Sequence, residues 1–190
     1  MKNQIKLLGI DDGPFTFNDK KSILIGTIVR ANGYLEGVLK RAIEIDGLDV
    51  TDVIIDMIVS SHHYKQLRAI LLDGVTFGGF NIVDIDKIHQ MSNIPVITVT
   101  RDKPDFHAIK QALQSHFSDW ENRFNLIESS NVFTCETKHN PIFITCAGIS
   151  VEKAKEIITL STIRGVIPEP IRIAHLIASG VIRGESYGKA

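Results

Sequence analysis

The apolar positions of this chain recur in two different periods. From Gln4 to Ile10, Ser22 to Arg30 and Tyr34 to Ile45 they form short β-branched and leucine runs, the mark of strands. The first run stops at Gly9-Ile10-Asp11-Asp12-Gly13-Pro14, and the second closes at Ala31-Asn32-Gly33. The first of these stops is a strand end followed by turn residues, and the second is a hairpin signal. Three strands with short links predict an antiparallel meander.

After Thr51 the period changes. Val53, Ile54, Met57 and Ile58 recur at helical spacing, with Asp49 or Thr51 placed to cap the helix. Ala69-Ile70-Leu71-Leu72 is a continuous apolar run too short for a helix, ending at Asp73-Gly74; such runs suit a parallel strand buried on both faces. A helix is expected over Asp84 to Met91, a buried strand over Ile94 to Val99, and a helix over Asp105 to Phe117 continuing toward Leu126. Strands at Val132 to Glu136 and Pro141 to Cys146 follow, then helices at Val151–Ile163 and Glu169–Ile182. Ser150 caps the first of these helices, and Pro168-Glu169-Pro170 opens the second. The tail from Arg183 is polar. With no internal repeat and no linker, residues 1–190 read as a single domain.

The order βββαβαβα gives an α/β class protein. Its core is a mixed five-stranded sheet, three antiparallel strands then two parallel, flanked by helices and followed by additional C-terminal strands and helices. This is the ribonuclease H-like arrangement. Its first strand is central, so an acid ending that strand lies beside an acid ending the fourth. A flavodoxin-like fold would need a crossover helix where this chain has a hairpin.

Composition narrows the field modestly. Hydrophobic residues make up 44% of the 190 and charged residues 23%, as in ordinary globular proteins. No apolar run reaches the roughly 20 residues that cross a bilayer. The N-terminus lacks a signal-peptide pattern, so the cytosol and no membrane partner are expected. Cys135 and Cys146 lack the spacing of a zinc site and read as buried thiols. A formal net charge of -1 argues against a broad electrostatic grip on nucleic acid, while leaving room for a local basic rim around an acidic site.

That acidic site is the main chemical signal. Acids end successive apolar strands: Asp11-Asp12, then Asp46 and Asp49 with Glu44 just before them, then Asp73. Asp before Gly is common turn chemistry, and any one of these fits that reading. Repetition after each strand does not. Crowded carboxylates repel one another, and a divalent cation with oxygen ligands, Mg²⁺ or else Mn²⁺, relieves the repulsion. The Gly-rich stretch Gly74 to Asn81 lacks the lysine and hydroxyl of a P-loop. It reads as close backbone approach to a strand or a sugar-phosphate, through Gly74, Gly78 and Gly79. Phe77 is either a stacking surface for a base or a core residue, and packing suits Phe80 better.

Several separate stretches resemble endonuclease V, and more closely the archaeal endonuclease dU-like family. Gly9-Ile10-Asp11 is similar to the first-strand segment that supplies a metal-binding aspartate. Tyr34-Leu35-Glu36-Gly37-Val38-Leu39 resembles a Tyr-Ile-Pro-Gly-Leu-Leu wedge, with Glu36 in place of proline. Asp73-Gly74 resembles the Asp-Gly that gives a second metal ligand. Ile94 to Arg101 is similar to Leu-Pro-Thr-Ile-Gly-Val-Ala-Lys, with Arg101 at the lysine. Pro168 to His175 is similar to Pro-Glu-Pro-(Ile/Leu)-Arg-x-Ala-His. The runs GIDDGPF and GVTFGGFNIVDI turn the comparison toward the archaeal family.

The resemblance implies a divalent-metal-dependent endonuclease, a DNA-repair enzyme acting on DNA or RNA with a deaminated base, uracil ahead of hypoxanthine. It implies Asp11 as a bridging ligand, with Asp73 and Asp49 completing the site. Asp46 and Glu44 compete with Asp49 for the third place, and Asp12 is either a ligand or a turn residue. Arg101 would hold a phosphate bidentately, and Tyr34 would wedge beside the everted base. Arg172 and His175 would face nucleic acid, although His175 equally fits a packed, hydrogen-bonded role. The chain departs from endonuclease V in two further places. Cys146-Ala147-Gly148 stands where that family has a late-strand histidine, and Val75 to Gly79 replaces its His-Pro-Arg stretch. A binding protein of the same fold without turnover, or a hydrolase of small phosphorylated molecules, would fit the same acids.

Overall fold

The computed structural model describes residues 4–16, 18–129 and 131–186. In chain order the elements are β1 (Lys6–Asp12), β2 (Lys21–Arg30), β3 (Leu35–Glu44), α1 (Val50–Val59), β4 (Leu67–Asp73), β5 (Thr76–Phe77), β6 (Asn81–Ile82), α2 (Ile85–Ser92), β7 (Val96–Thr100), α3 (Phe106–His116), α4 (Trp120–Glu128), β8 (Phe133–Cys135), β9 (Ile142–Ala147), α5 (Val151–Ser161) and α6 (Glu169–Arg183). The large sheet runs β3-β2-β1-β4-β7-β9-β8. β1, β2 and β3 are an antiparallel meander, and β1, β4 and β7 are parallel. That is the mixed core expected of a ribonuclease H-like chain.

The two late strands extend this sheet to seven. β9 pairs antiparallel with β7, and β8 with β9, so β7 is not left as an exposed edge with unpaired backbone groups. Inside that seam the hydroxyls of Thr98 and Thr145 bond each other at 2.7 Å, away from water. The long helix expected from Asp105 toward Leu126 is two helices. Phe117 turns extended at the end of α3, and α4 starts afresh at Trp120. The Gly-rich stretch is a two-stranded hairpin, β5–β6, turning at Gly78 and Gly79 with φ of 51° and 85°.

Strand alternation decides what each face carries. Leu8 and Ile10 of β1, with Ile70 and Leu72 of β4, pack against α1 and α2. Leu7, with Ala69 and Leu71, packs on the opposite face with residues of α5 and α6. The residues that end these strands follow the same alternation. Asp11 and Asp73 belong to the α6 face, and Asp12 to the α1–α2 face.

Glycine sets how closely α6 can lie on β1. A Cβ on Gly9 would stand 2.2 Å from the Pro170 carbonyl carbon and 2.6 Å from the Ile171 amide nitrogen. Only a residue without a side chain lets the first turn of the helix rest there. Thr27 of β2 donates its hydroxyl to the Pro170 carbonyl at 2.7 Å, which satisfies that oxygen and fixes the helix laterally. Pro170 is within the first turn, where a missing N–H costs nothing.

Candidate active site

β1 and β4 are hydrogen-bonded neighbours in parallel register, with Ile10 opposite Leu72. The next residue of each strand is therefore an aspartate beside an aspartate. His175 comes down onto the pair from α6, five residues after the turn that rests on Gly9. Its Nδ1 lies 2.8 Å from Asp11 Oδ2. Ligand atoms from Asp11, Asp73 and His175 all lie within 4.8 Å of one another.

The electrostatics follow from burial. Asp11 is 5% exposed. The Asp73 carboxyl is pushed up to about 7, by loss of water first and by the charge of Asp11 second, with Arg101 and His175 pulling the other way. Asp12 is pushed up to about 6, again mainly by burial, although it accepts a 2.9 Å hydrogen bond from the Gly78 amide. His175 is shifted upward, chiefly by its hydrogen bond to Asp11. This donor set suits a divalent cation: two carboxylates are crowded out of water, one only half ionised at neutral pH, and a cation removes the repulsion that keeps it so.

Arg101 follows the end of β7, two residues beyond Val99, the register partner of Asp73. Its charge acts on both Asp73 and His175, so it borders the site. The other expected residues lie elsewhere. Asp49 occupies the position before α1 without capping it. Its Oδ1 accepts from the Asn81 amide at 2.6 Å, and both its oxygens face the Glu44 amide. Asp46 has a left-handed backbone at φ 55° and accepts from the Phe80 amide at 2.8 Å. Glu44 ends β3 exposed. Asp49 and Asp46 support the loop entering α1 and the β5–β6 hairpin, on the α1–α2 side, and Glu44 takes part through its backbone amide and carbonyl. Among the described residues, none of them joins the Asp11–Asp73–His175 group.

The residues expected to touch nucleic acid divide likewise. Tyr34 is 65% exposed in the β2–β3 turn. Phe77 is not a stacking surface: it is 1% exposed and packed in the core with Ile43 and Ile54. Gly78 gives its amide to Asp12, and a Cβ on Gly79 would stand 2.3 Å from Asp46 Oδ1, so both serve the fold of the hairpin. Gly74, at φ 82°, donates its amide to Val99 and turns the chain away just after Asp73. Arg172 forms a two-pronged ion pair with Glu169, at 2.9 and 2.5 Å.

Sequence reasoning did not single out Arg123 of α4. Only 5% exposed, it donates to the carbonyls of Asp46, Gly47 and Phe80 and to the carboxylate of Asp119. Its guanidinium lies 4.3 Å from the Phe117 ring centre. This one side chain ties the β3–α1 loop to the hairpin that holds Asp12. Beyond the i,i+4 pairing with Asp119 no local pattern marks such a residue, because its other partners are backbone atoms far away in sequence. The helical spacing of His175, Ser179 and Arg183 is a signal that was available: four residues apart, they line one wall with Asp11, Asp12 and Asp73.

The sequence model of the family described as endonuclease dU matches residues 3–182. The chain belongs to the endonuclease dU family. A relative from Methanothermobacter thermautotrophicus, named UPF0215 protein, is 47% identical over 191 residues, spanning 100% of this chain and 94% of the relative. A solved structure described as a protein of unknown function from Archaeoglobus fulgidus is 37% identical, with a TM-score of 0.83, covering 93% of this chain and 97% of that one. The Ciona intestinalis endonuclease V, solved on DNA containing an inosine followed by a ribo-adenosine, is 12% identical with a TM-score of 0.64, covering 95% of this chain and 86% of that one. The endonuclease dU chain thus shares the endonuclease V fold. Among its described residues no helix is long and apolar enough to cross a membrane.

Proposed function

We propose that this protein is a divalent-metal-dependent endonuclease that cuts a nucleic-acid strand beside a deaminated base. The observation that carries this reading is the convergence of Asp11, Asp73 and His175 from two adjacent strand ends and the last helix. Membership of the endonuclease dU family supports it, as does a fold shared with an endonuclease V solved on inosine-containing DNA.

Asp11 and Asp73 would hold the cation, with His175 as a third ligand or as the group that orients Asp11. A bound divalent cation supplies Lewis-acid activation of water and stabilises the charge that develops on the phosphate. Hydrolysis joins a water oxygen to phosphorus and breaks one ester P–O bond, whose oxygen departs with a proton. His175, held by Asp11 with its affinity for protons raised, is suited to carry a proton between water and leaving group. Arg101 adds positive charge at the edge where a phosphate would approach. Tyr34, exposed at its turn, would take the space left by an everted base.

The deciding experiment is nicking of labelled oligonucleotides carrying one uracil, one hypoxanthine or no lesion, in Mg²⁺ and in Mn²⁺. Lesion-dependent nicking that vanishes with EDTA, Asp11→Ala and Asp73→Ala is the expected result. Binding without nicking by folded protein would overturn the enzyme reading in favour of a binding role. Turnover of small phosphate esters alone would overturn the nucleic-acid substrate.

A further inference from the structure

Ser179, which lines the acidic pocket, carries a buried hydroxyl that the fold does not use. The pocket, about 250 Å³, is lined by Asp11, Asp12, Asp73, His175, Ser179 and Arg183 among others. Ser179 is 2% exposed, yet its Oγ has no hydrogen-bond partner in the protein. Other serines within the described helices behave differently. Ser92, Ser115 and Ser161 each donate to the carbonyl four residues earlier, at 2.7, 2.8 and 2.7 Å. That back-bond is the default for a helical serine with no other task. Ser179 forgoes it. A buried hydroxyl left alone is unfavourable, and the neighbouring Ala174 and Ala178 are buried on the same helix with no such cost.

Position gives the hydroxyl a purpose. His175, Ser179 and Arg183 succeed one another at four-residue intervals on α6, and so share one stripe of the helix. Each step advances about 6 Å along the axis. The stripe begins at the imidazole on Asp11, passes the buried hydroxyl and ends at a guanidinium on the rim. Three carboxylates line the same pocket and repel an anion until a cation covers them. Arg183 supplies positive charge from α6, and Ser179, one turn before it, supplies a neutral donor. A chain of donors beside a metal-capable centre fits a phosphodiester strand lying along the helix.

Resting on the nuclease reading above, we infer that Ser179 donates its hydroxyl to a non-bridging oxygen of the phosphodiester next to the scissile one, with Arg183 pairing with the same strand one helical turn further on. The helix α6 is thereby the rail that sets the strand in register with Asp11 and Asp73. Ser179 acts in binding and leaves the bond-breaking step untouched.

The test compares wild type, Ser179→Ala and Arg183→Gln on the oligonucleotide that wild type nicks. It also uses a series of oligonucleotides in which a single phosphate near the nick is replaced by methylphosphonate. Readouts are KM and kcat, affinity for the already nicked strand by fluorescence anisotropy, thermal stability, and the thermal shift produced by Mn²⁺ alone. Ser179→Ala is expected to melt no lower than wild type, since it deletes an unpartnered group, and to keep the Mn²⁺ shift. Its KM and its Kd for the nicked strand should rise roughly 10-fold or more, the range for a hydrogen bond to a charged group, with kcat unchanged. One methylphosphonate position should weaken wild type by a similar factor and leave Ser179→Ala indifferent. Arg183→Gln should weaken binding and flatten its salt dependence. Wild-type nicking with Ser179→Ala equal to it on every strand would overturn the inference and leave the nuclease standing. Wild type that neither nicks nor binds any strand would overturn the nuclease reading, and this inference with it.

Discussion

His175 Nδ1 stands 2.8 Å from Asp11 Oδ2, joining the last helix to the first strand across 164 positions of sequence. The contact gives Asp11 a fixed orientation and gives His175 a raised proton affinity. Ligand orientation of this kind matters to metal binding. His175→Ala is expected to weaken Mn²⁺ binding by roughly 10- to 100-fold, the usual effect of losing a ligand's supporting partner. Titration calorimetry on wild type and variant reads this directly. An unchanged affinity would remove His175 from the centre.

The contact depends on how closely α6 can lie on β1, and Gly9 sets that distance. Gly9→Ala places a Cβ 2.2 Å from backbone of Pro170, which no rotamer change relieves. A loss of roughly 3 kcal/mol is expected, at the upper end for overpacking, together with a weaker response to Mn²⁺ as His175 withdraws. Gly180→Ala on the same helix is the contrast. A Cβ there meets nothing within 4 Å, so the variant should gain about 0.5–1 kcal/mol from helix propensity. Urea unfolding of the two variants tests both signs.

Acid–base behaviour gives a third expectation. In the folded chain Asp73 keeps its proton up to about 7 and Asp12 up to about 6, against an ordinary value of 3.8. Between those values the folded state binds more protons than the unfolded state. Metal-free stability from these groups is therefore full below about pH 4 and lost as pH rises to about 7. The raised proton affinity of His175 acts in the same direction from its ordinary value upward. Asp73→Asn removes the larger share of that loss: with about three pKa units at stake it should be roughly 4 kcal/mol more stable than wild type at pH 8, and no more stable at pH 4. A divalent cation favours the deprotonated acid, so Mn²⁺ affinity of the wild type should climb between about pH 6 and 8. A flat stability difference between pH 4 and 8 would refute the raised Asp73 value.

Asp49 and Asp73 look alike in sequence, each following a strand, but they have different partners. The carboxylate of Asp49 is engaged by the Asn81 side chain and the Glu44 amide. Asp49→Ala leaves these donors unpaired and should cost about 1–3 kcal/mol, while the Mn²⁺-induced thermal shift persists. Asp73→Ala should abolish the shift. Loss of the shift in both variants would return Asp49 to the metal site.

Much of this architecture could be read from periodicity. The meander, the parallel strands and the meeting of Asp11 with Asp73 follow from alternation and strand order, which are local patterns. The expected third acid, Asp49 or its competitors Asp46 and Glu44, is not among the residues that meet in the described structure, for an equally physical reason. Each lies in or beside a turn, where no strand period fixes which way a carboxylate points, and backbone amides nearby were ready to claim it. Phe77 illustrates the same limit: a two-residue strand has too little pattern to distinguish a core ring from an exposed one. His175 was visible as a residue, but its role depends on the packing of Pro170 over Gly9, a contact between chain ends.

Arg123 carries the last expectation. Its guanidinium donates to three carbonyls, those of Asp46, Gly47 and Phe80, and is neutralised by Asp119. Arg123→Met keeps an aliphatic stem and removes every one of these bonds, together with the guanidinium's contact with the Phe117 ring. Three part-buried carbonyls then lose their donor, and the two loops they belong to lose their tether, so a cost of roughly 3 kcal/mol is expected. The loosened hairpin also carries the Gly78 amide away from Asp12. Without that hydrogen bond the Asp12 carboxyl has less to favour its charged form, and its proton affinity should rise further. Arg123→Lys restores one charge and at most part of the fork, and should recover less than half of the lost stability. Unfolding measurements on both variants, with the Asp12 carboxyl followed by NMR titration, separate the clamp from a simple filling role. Equal stability of Arg123→Met and wild type would show that packing of the aliphatic stem alone matters.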